Sequence, residues 1–258
     1  IRLIKQISGC YDSYTSERYD GRLQQLDLSG ATLPADGWSL ETCRFTSVVL
    51  PQYITAIPDY AFAECDELAS MPIPQGVTSI GYNAFGNCSK LASVTLPTGL
   101  TWISSGAFFE CRSITSLTIP SGVKSIESKA FAQCWRLTSL TLQEGIIDIH
   151  EAAFAGCDFL TTLTLPSTVE TICDGAFDGK ALNAIYALNP RGIGIKGKPF
   201  TENTQYCCTL YVPKGSLQDY KNWEEWAAFR NIVEFDPTGI DGVHTTTDRH
   251  EVSRYSVG

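Results

Sequence analysis

The stretch Pro120-Ser-Gly-Val-Lys-Ser-Ile-Glu-Ser-Lys-Ala-Phe-Ala-Gln-Cys134 contains the pattern from which most of the chain is built. Its Ala-Phe pair recurs at a constant interval, twenty-three positions from one pair to the next. The six pairs are Ala61-Phe62, Ala84-Phe85, Ala107-Phe108, Ala130-Phe131, Ala153-Phe154 and Ala176-Phe177. In the first five copies a cysteine is the third residue after the phenylalanine. A fixed period of this length is typical of stacked repeat units, so the sequence predicts a solenoid.

Each repeat reads as one coil with two extended pieces and a turn. Leu117 and Ile119 alternate with hydroxyl residues, which indicates a strand with one buried face. Val123 and Ile126 predict a second, shorter extended piece, and the Ala-Phe pair closes the coil around Phe131. Because coils of equal length place like residues above like, the phenylalanines are predicted to form one continuous interior column.

The chain has 10 cysteines, and five of them share one position of the repeat. We interpret these five as a ladder of reduced, buried thiols, each facing a backbone carbonyl. No C-x-x-C pair is present, which argues against a zinc site.

The cysteines outside this ladder are interpreted as free thiols, with disulfide bonding open as the alternative because export would permit it. They are Cys10, Cys43, Cys173, Cys207 and Cys208. Cys173 is expected to be exposed, with Cys207 or Cys208 as the partner that a disulfide would use.

The repeat resembles the BspA-like, or treponemal-type, leucine-rich repeat. The resemblance rests on the motif Ile-Pro-x-Gly-Val-x-x-Ile-x-x-x-Ala-Phe-x-x-Cys and covers roughly residues 43–190. It implies a curved, right-handed, β-rich coil with a sheet on one face and short turns or 3₁₀ segments opposite. It also implies an exported bacterial surface protein, since such repeats are found in adhesins and in proteins that bind host proteins.

Four segments are expected along the chain. Residues 1–42 are interpreted as an N-terminal cap with an irregular first coil, and residues 43–190 as leucine-rich repeats. The regular pattern is expected to stop after Phe177. Residues 191–236 are interpreted as a small α+β C-terminal cap, and residues 237–258 as a linker with the start of a truncated sorting tail.

The predicted cap begins with a Gly- and Lys-rich loop, 191–198, followed by a strand at 208–212. Ser216 is an acceptable N-cap for a helix, and a second short helix and a closing strand are expected after it. This order resembles the closing segment of repeat proteins from Bacteroidetes. The apolar end of the coil is predicted to be covered by three aromatic residues, Trp223, Trp226 and Phe229.

Charge and composition argue against several classes of function. A net charge of −9 disfavours nucleic acids and anionic membranes, and no apolar run is long enough to cross a bilayer. The three histidines, His150, His244 and His250, are not accompanied by a nucleophile motif, a phosphate-binding loop or a metal-binding motif. We therefore predict no enzymatic activity, no cofactor and no metal.

Two sets of outward residues are candidates for binding. The first is a hydroxyl face on the strands, which would suit a glycan or a flat partner, although threonine is favoured on strands without any ligand. Its central column is Thr95, Thr118, Thr141 and Thr164. The second set consists of aromatic residues that interrupt columns of small or polar residues, a composition typical of protein interfaces. They are Trp102, Phe109, Trp135 and Phe159, and packing over a neighbouring coil is the alternative role for each of them.

Together these features predict a secreted or cell-surface bacterial protein without catalysis that binds a protein partner through the solenoid surface, in the manner of an adhesin. Glycan binding on the hydroxyl face and a purely structural spacer are the alternatives. The ligand, the source species and the oligomeric state are not determined by these residues.

Overall fold

A computed structural model of the chain describes residues 24–34 and 37–239, together with the backbone of two short strands near the N-terminus. The described residues form a parallel β-solenoid of about nine turns with little helix, so the predicted fold class is confirmed. The rest of the predicted N-terminal cap and the predicted tail after residue 239 lie outside the described residues.

The strands of the first half are, in chain order, β1 (Tyr11–Asp12), β2 (Glu17–Arg18), β3 (Gln25–Asp27), β4 (Ser47–Val49), β5 (Ala56–Ile57), β6 (Ser79–Ile80), β7 (Trp102–Ile103), β8 (Ser116–Ile119) and β9 (Ser125–Ile126). Those of the second half are β10 (Ser139–Leu142), β11 (Asp148–Ile149), β12 (Thr162–Leu165), β13 (Thr171–Cys173), β14 (Ala184–Ala187), β15 (Gly194–Lys196), β16 (Thr209–Pro213) and β17 (Asn231–Phe235). The helices are α1 (Glu202–Cys207), α2 (Leu217–Lys221) and α3 (Glu224–Ala227), and a 3₁₀ turn follows at Pro237–Gly239.

The coils contribute to two parallel ladders. The short-strand ladder joins β5, β6, β7, β9, β11, β13 and β15 without interruption. The long-strand ladder is divided into three parts, namely β3 with β4, β8 with β10, and β12 with β14, β16 and β17. The Ala-Phe segments form a third side, which we call the turn face. The second extended piece that the sequence predicts in each coil is thus confirmed, and it forms a sheet of its own.

The pairing register follows the repeat length. Leu140 pairs with Leu117 in the long-strand ladder, and Ile149 pairs with Ile126 in the short-strand ladder. In both pairs the two partners are separated by one full repeat. Each residue therefore lies above its counterpart in the preceding coil.

The phenylalanines form the predicted interior column. Successive rings from Phe62 to Phe177 are nearly parallel, and their centroids are 5.0–5.4 Å apart. Phe108 and Phe131, in the middle of the column, are fully buried. Trp38 contacts the first ring of the column edge-on at 5.4 Å. The prediction of one continuous column is confirmed.

The coil continues beyond the point where the sequence pattern predicts it to stop. The predicted loop 191–198 contains β15, which pairs with β13. Phe200 stands one repeat length after Phe177, and their ring centroids lie 6.0 Å apart. The prediction of a plain loop is wrong because its residues still supply a strand and lead into an interior ring, although Pro199 has replaced the alanine.

The C-terminal cap differs from its prediction in three details. Helix α1 is not indicated by the sequence pattern. Ser216 precedes α2, but its hydroxyl donates to the carbonyl of Pro213 at 2.6 Å rather than capping the helix. Trp226 and Phe229 are buried against Phe200, whereas Trp223 is exposed and Tyr220 is the third buried ring.

The turn face requires two residues of positive φ in most coils, one before the alanine and one before the cysteine. Glycine occupies these positions at Gly106, Gly156 and Gly175, but other coils place larger residues there, among them Ala152 with φ 54°. A left-handed conformation costs a residue with a Cβ about 1–2 kcal/mol. The turn face therefore contains strain that recurs with the repeat.

We expect the substitution Ala152→Gly to stabilise the protein by about 0.5–1 kcal/mol, since the relief of the left-handed alanine exceeds the entropic cost of glycine. Urea denaturation measures the change. Ala153→Gly is the matched control: Ala153 is buried and has no positive φ, so this variant should lose about 1 kcal/mol. Destabilisation by both variants would show that no strain is stored at residue 152.

Candidate functional site

The five repeated cysteines form the predicted ladder of buried thiols. Each Sγ donates to a backbone carbonyl of the preceding coil at 3.1–3.5 Å, for example from Cys88 to Phe62 and from Cys134 to Phe108. Burial raises the pKa of the thiols of Cys88, Cys111, Cys134 and Cys157, that of Cys134 to about 12. Cys88, Cys111, Cys134 and Cys157 are free, so the prediction is confirmed for these four, and their role is structural.

The cysteines outside the ladder differ from one another. Cys43 is disulfide-bonded, so the prediction of free thiols throughout is wrong there, and Cys10 lies outside the described residues. Cys173, Cys207 and Cys208 are free, as interpreted from the sequence. Cys173 is only partly exposed, because it lies inside β13 beside β15 rather than in a loop.

The hydroxyl face is present on the long-strand ladder. Thr95 and Thr118 are exposed, and Thr141 and Thr164 are partly exposed. Thr118 pairs in register with Thr141, but β10 and β12 do not pair. A shallow cavity of about 460 Å³ lies at this interruption, lined in part by Thr141 and Thr164. The column is therefore divided between Thr141 and Thr164.

The same column continues into two tyrosines outside the predicted set. Thr164 pairs with Tyr186, and Tyr186 pairs with Tyr211. The two tyrosine rings stack with centroids 4.5 Å apart, and Phe235 contacts both of them edge-on. Because their strands lie beyond the last regular repeat, the motif does not extend the column to them.

The four aromatic candidates lie on three different sides of the coil. Trp102 belongs to β7 on the short-strand ladder, and 47% of it is exposed. Phe109 is partly exposed and lines a cleft on the turn face. Trp135 and Phe159 lie in the turns that connect the turn face to β10 and β12. The structure therefore does not join the four residues into one site.

Trp135 and Phe159 stand at adjacent positions of two consecutive coils, and together with Arg112 they make up the set of residues that we call the aromatic corner. The guanidinium of Arg112 lies 4.6 Å from the ring centroid of Trp135, a cation–π contact. The indole Nε1 of Trp135 donates to Oε1 of Gln133 at 2.5 Å. Exposure is 43% for Trp135 and 59% for Phe159. The contacts of Trp135 fix its orientation while leaving much of its ring open to solvent.

Two further exposed aromatic residues, Tyr60 and Tyr82, lie at the cleft on the turn face. Trp102 is a candidate because it interrupts a column of small residues. Tyr82 meets the same criterion, because Ser105 and Ser128 occupy its position in the next two coils. The signal for Tyr82 is therefore present in the sequence.

The charged side chains form ion pairs between neighbouring coils. Glu67 contacts both Arg44 and Lys90, and these contacts lower the pKa of its carboxyl. His150 lies 3.9 Å from Glu127 on the surface.

Within the described ranges no group of histidine, cysteine and acidic residues could hold a metal ion. None of the helices in the described part of the chain combines the length and the apolar character needed to span a membrane.

The arrangement of parallel coils around a phenylalanine column defines a leucine-rich-repeat solenoid. The family described as BspA type leucine rich repeat region matches the chain in six copies, over residues 39–123 and 87–204. The chain belongs to this family, since the matched residues make up more than half of its length. The membership indicates a non-catalytic role in molecular interaction.

The chain is similar to several solved structures, and the first of those named here shares its fold. A leucine-rich repeat protein from Bacteroides ovatus ATCC 8483 is 20% identical, with a TM-score of 0.52 over 87% of this chain and 67% of that one. Another from T. pallidum is 27% identical over 64% of this chain and 81% of that one, with a TM-score of 0.49. A leucine rich cell surface protein from Faecalibacterium prausnitzii A2-165 is 18% identical over 90% and 93%, with a TM-score of 0.48. No curated protein sequence matches the chain.

We expect thiol reagents to distinguish the two groups of cysteines in the folded protein. At pH 8 the exposed Cys207 should react quickly and Cys173 slowly, because burial raises the pKa of Cys173 and keeps its reactive thiolate scarce. The five ladder thiols and Cys208 should react only after unfolding in guanidinium. Mass spectrometry of alkylated peptides measures this order, and rapid labelling of Cys111 in the folded state would contradict it.

Proposed function

We propose that this protein is an exported, cell-surface interaction protein that binds a protein partner through the aromatic corner. The observation that carries the proposal is the exposure of Trp135 and Phe159 at positions where other coils place small, polar or charged residues. Ser89 and Arg112 occupy the position of Trp135, and Lys90 and Arg136 occupy that of Phe159. The fold does not require aromatic rings at these positions.

The chemistry of the corner suits a protein interface. Tryptophan and arginine are among the residues that most often dominate binding energy at interfaces. Arg112 stacks on Trp135, so part of the entropic cost of ordering both side chains is already met before a partner binds. Phe159 has no polar atom that would favour its exposure to water.

A location outside the cytoplasm is supported by Cys43. This residue is disulfide-bonded, and disulfides persist in oxidising compartments. Free thiols such as those of Cys88 and Cys111 do not contradict such a location, because they are buried and each donates to a backbone carbonyl.

Trp102 is a separate contact candidate on the short-strand ladder, where the equivalent residues Ser79 and Ser125 are small and 47% of Trp102 is exposed. Glycan binding on the hydroxyl face stays the alternative prediction. Its column of Thr95, Thr118, Thr141 and Thr164 supplies hydroxyl groups, but no aromatic side chain lines the shallow cavity beside Thr141 and Thr164.

The test uses substitutions that the repeat itself already contains. We expect Trp135→Ser combined with Phe159→Lys to reduce binding to purified extracellular-matrix proteins and mucus glycoproteins, presented one at a time on a biosensor, by at least tenfold. A loss of this size corresponds to about 1.4 kcal/mol or more, as expected for interface anchors. The melting temperature should change little, because Ser89 and Lys90 stand at the same positions of a folded coil.

Two controls accompany this experiment. Tyr206→Ala removes a similarly exposed aromatic residue from α1, far along the chain from the corner, and should leave binding unchanged. Trp102→Ser tests the second contact by itself. Unchanged binding in the Trp135→Ser, Phe159→Lys variant would refute the aromatic corner as the binding surface. A loss of binding after enzymatic deglycosylation of the mucus proteins would instead favour glycan recognition.

A further inference from the structure

The turn face carries a cleft of about 450 Å³ that is separate from the aromatic corner. The cleft lies where single bulky residues stand in columns that otherwise hold smaller ones. Tyr82 is followed at its position by Ser105 and Ser128, and Gly106 adds no side chain to the floor. On the other side Phe109 rises from a column that holds alanine or glycine in the two coils before it and the two coils after it. The floor is therefore low and the walls are aromatic.

The tyrosine wall is held in place by its own contacts. The rings of Tyr60 and Tyr82 meet edge to face, with centroids 5.3 Å apart and planes inclined by 70°. The backbone N–H of Tyr82 donates to Oδ1 of Asp59 at 2.6 Å. Even so, 45% of Tyr60 and 47% of Tyr82 remain exposed, so both present an open aromatic surface.

Tyr60 is a bulky residue at a position where the turn face requires a positive φ. Its φ is 55°, in the left-handed region, where a bulky residue is strained. The equivalent positions of the other coils hold no aromatic residue, and most of them hold asparagine or glycine, which tolerate this region well. They are Asn83, Gly106, Lys129, Ala152 and Gly175. The coil therefore sets the φ of this position, whereas the aromatic side chain at residue 60 is a feature that the coil does not require.

Two amides line the same cleft. Asn83 and Asn87 each carry a carbonyl acceptor and an NH₂ donor, and neither side chain has a hydrogen-bond partner among the described residues. Asn83 lies directly over Gly86, where an added Cβ would come within 2.0 Å of its Oδ1. The missing side chain of Gly86 therefore leaves the space that the Asn83 amide occupies at the cleft.

From this combination we infer that the turn-face cleft binds a neutral oligosaccharide. Sugar rings present apolar C–H faces that pack on tyrosine and phenylalanine, and their hydroxyl groups both donate and accept, as amides and serines do. The volume of about 450 Å³ lies in the range of small-ligand pockets. Phosphorylated and nucleic-acid ligands are disfavoured by the net charge of −9, and the two charged residues that line the cleft, Lys129 and Glu151, are of opposite sign.

The sugar site does not depend on the proposed protein binding, because the cleft and the aromatic corner share no residue. It also differs from the glycan site predicted on the hydroxyl face, because it lies on the turn face, where aromatic rings and open amides occur together. The residues that would contact the sugar are Tyr60, Tyr82, Asn83, Asn87 and Phe109.

The experiment is saturation-transfer NMR on the complete chain with four neutral probes: chitotriose, maltotriose, N-acetyllactosamine and a neutral mucin-type core trisaccharide. We expect at least one of them to bind, and titration calorimetry then supplies its Kd. The combined change Tyr60→Asn and Tyr82→Ser should weaken that binding at least tenfold. Both replacements occur at the same positions of the next coil, which favours correct folding.

A second variant protects the test against misfolding. Asn83→Gly removes the amide but keeps a residue suited to positive φ, so it should weaken binding severalfold with an unchanged melting temperature. Glu64→Gly is its matched control, since Glu64 stands at the register position of Asn87 one coil earlier, has a φ of 60° and lies outside the cleft. It should leave the affinity unchanged.

Three outcomes would overturn the sugar site. The first is that none of the four probes binds, and the second is that binding survives in both cleft variants. The third is that binding is lost in the Thr118→Ala, Thr141→Ala variant, which would assign it to the hydroxyl face. Loss of a protein partner in the Tyr60→Asn, Tyr82→Ser variant without any sugar binding would likewise replace the sugar by a polypeptide. Failure of the sugar site would not affect the aromatic-corner proposal, because that proposal is tested with different variants, Trp135→Ser and Phe159→Lys.

Discussion

The stacking of one phenylalanine on the next is the contact on which the rest of this structure depends. A ring spacing of 5.0–5.4 Å is close to the distance between paired strands, so the column and the two ladders can hold the same repeat along the axis. A residue longer or shorter than phenylalanine would leave a gap or force the coils apart at this position. Each coil therefore buries its apolar residues only against the coil before and the coil after it.

This one-dimensional arrangement separates stability from recognition. Interior positions such as Phe108, Cys111 and Ile126 are constrained by identical neighbours on both sides. Outward positions face solvent, so they can change in one coil without disturbing the next. That is why an exposed Trp135 or Tyr82 stands out against its column, whereas a buried phenylalanine carries no information about a ligand.

The long-strand ladder is interrupted where the coils depart from regular stacking. The short-strand ladder is continuous, whereas the long-strand ladder is divided between β10 and β12. At that division Leu140, an inward residue, is less completely buried than its counterparts Leu117 and Leu163. The hydroxyl face is consequently less uniform than an ideal stack would make it, which weakens the case for a flat ligand along its whole length.

The sequence by itself determined the solenoid, the phenylalanine column and the buried thiols, because a fixed repeat period leaves a single stacking register for Phe85, Cys88 and their equivalents. It did not reveal the coil ending at Phe200, where proline replaces the alanine of the motif and no cysteine stands at the ladder position. Only the tertiary structure decided which outward residues share a side: Trp102, Phe109 and Trp135 are similar as column exceptions but lie on three different sides. The reason is that recognition depends on distances between coils and around the coil, whereas a repeat pattern specifies only which residues are equivalent.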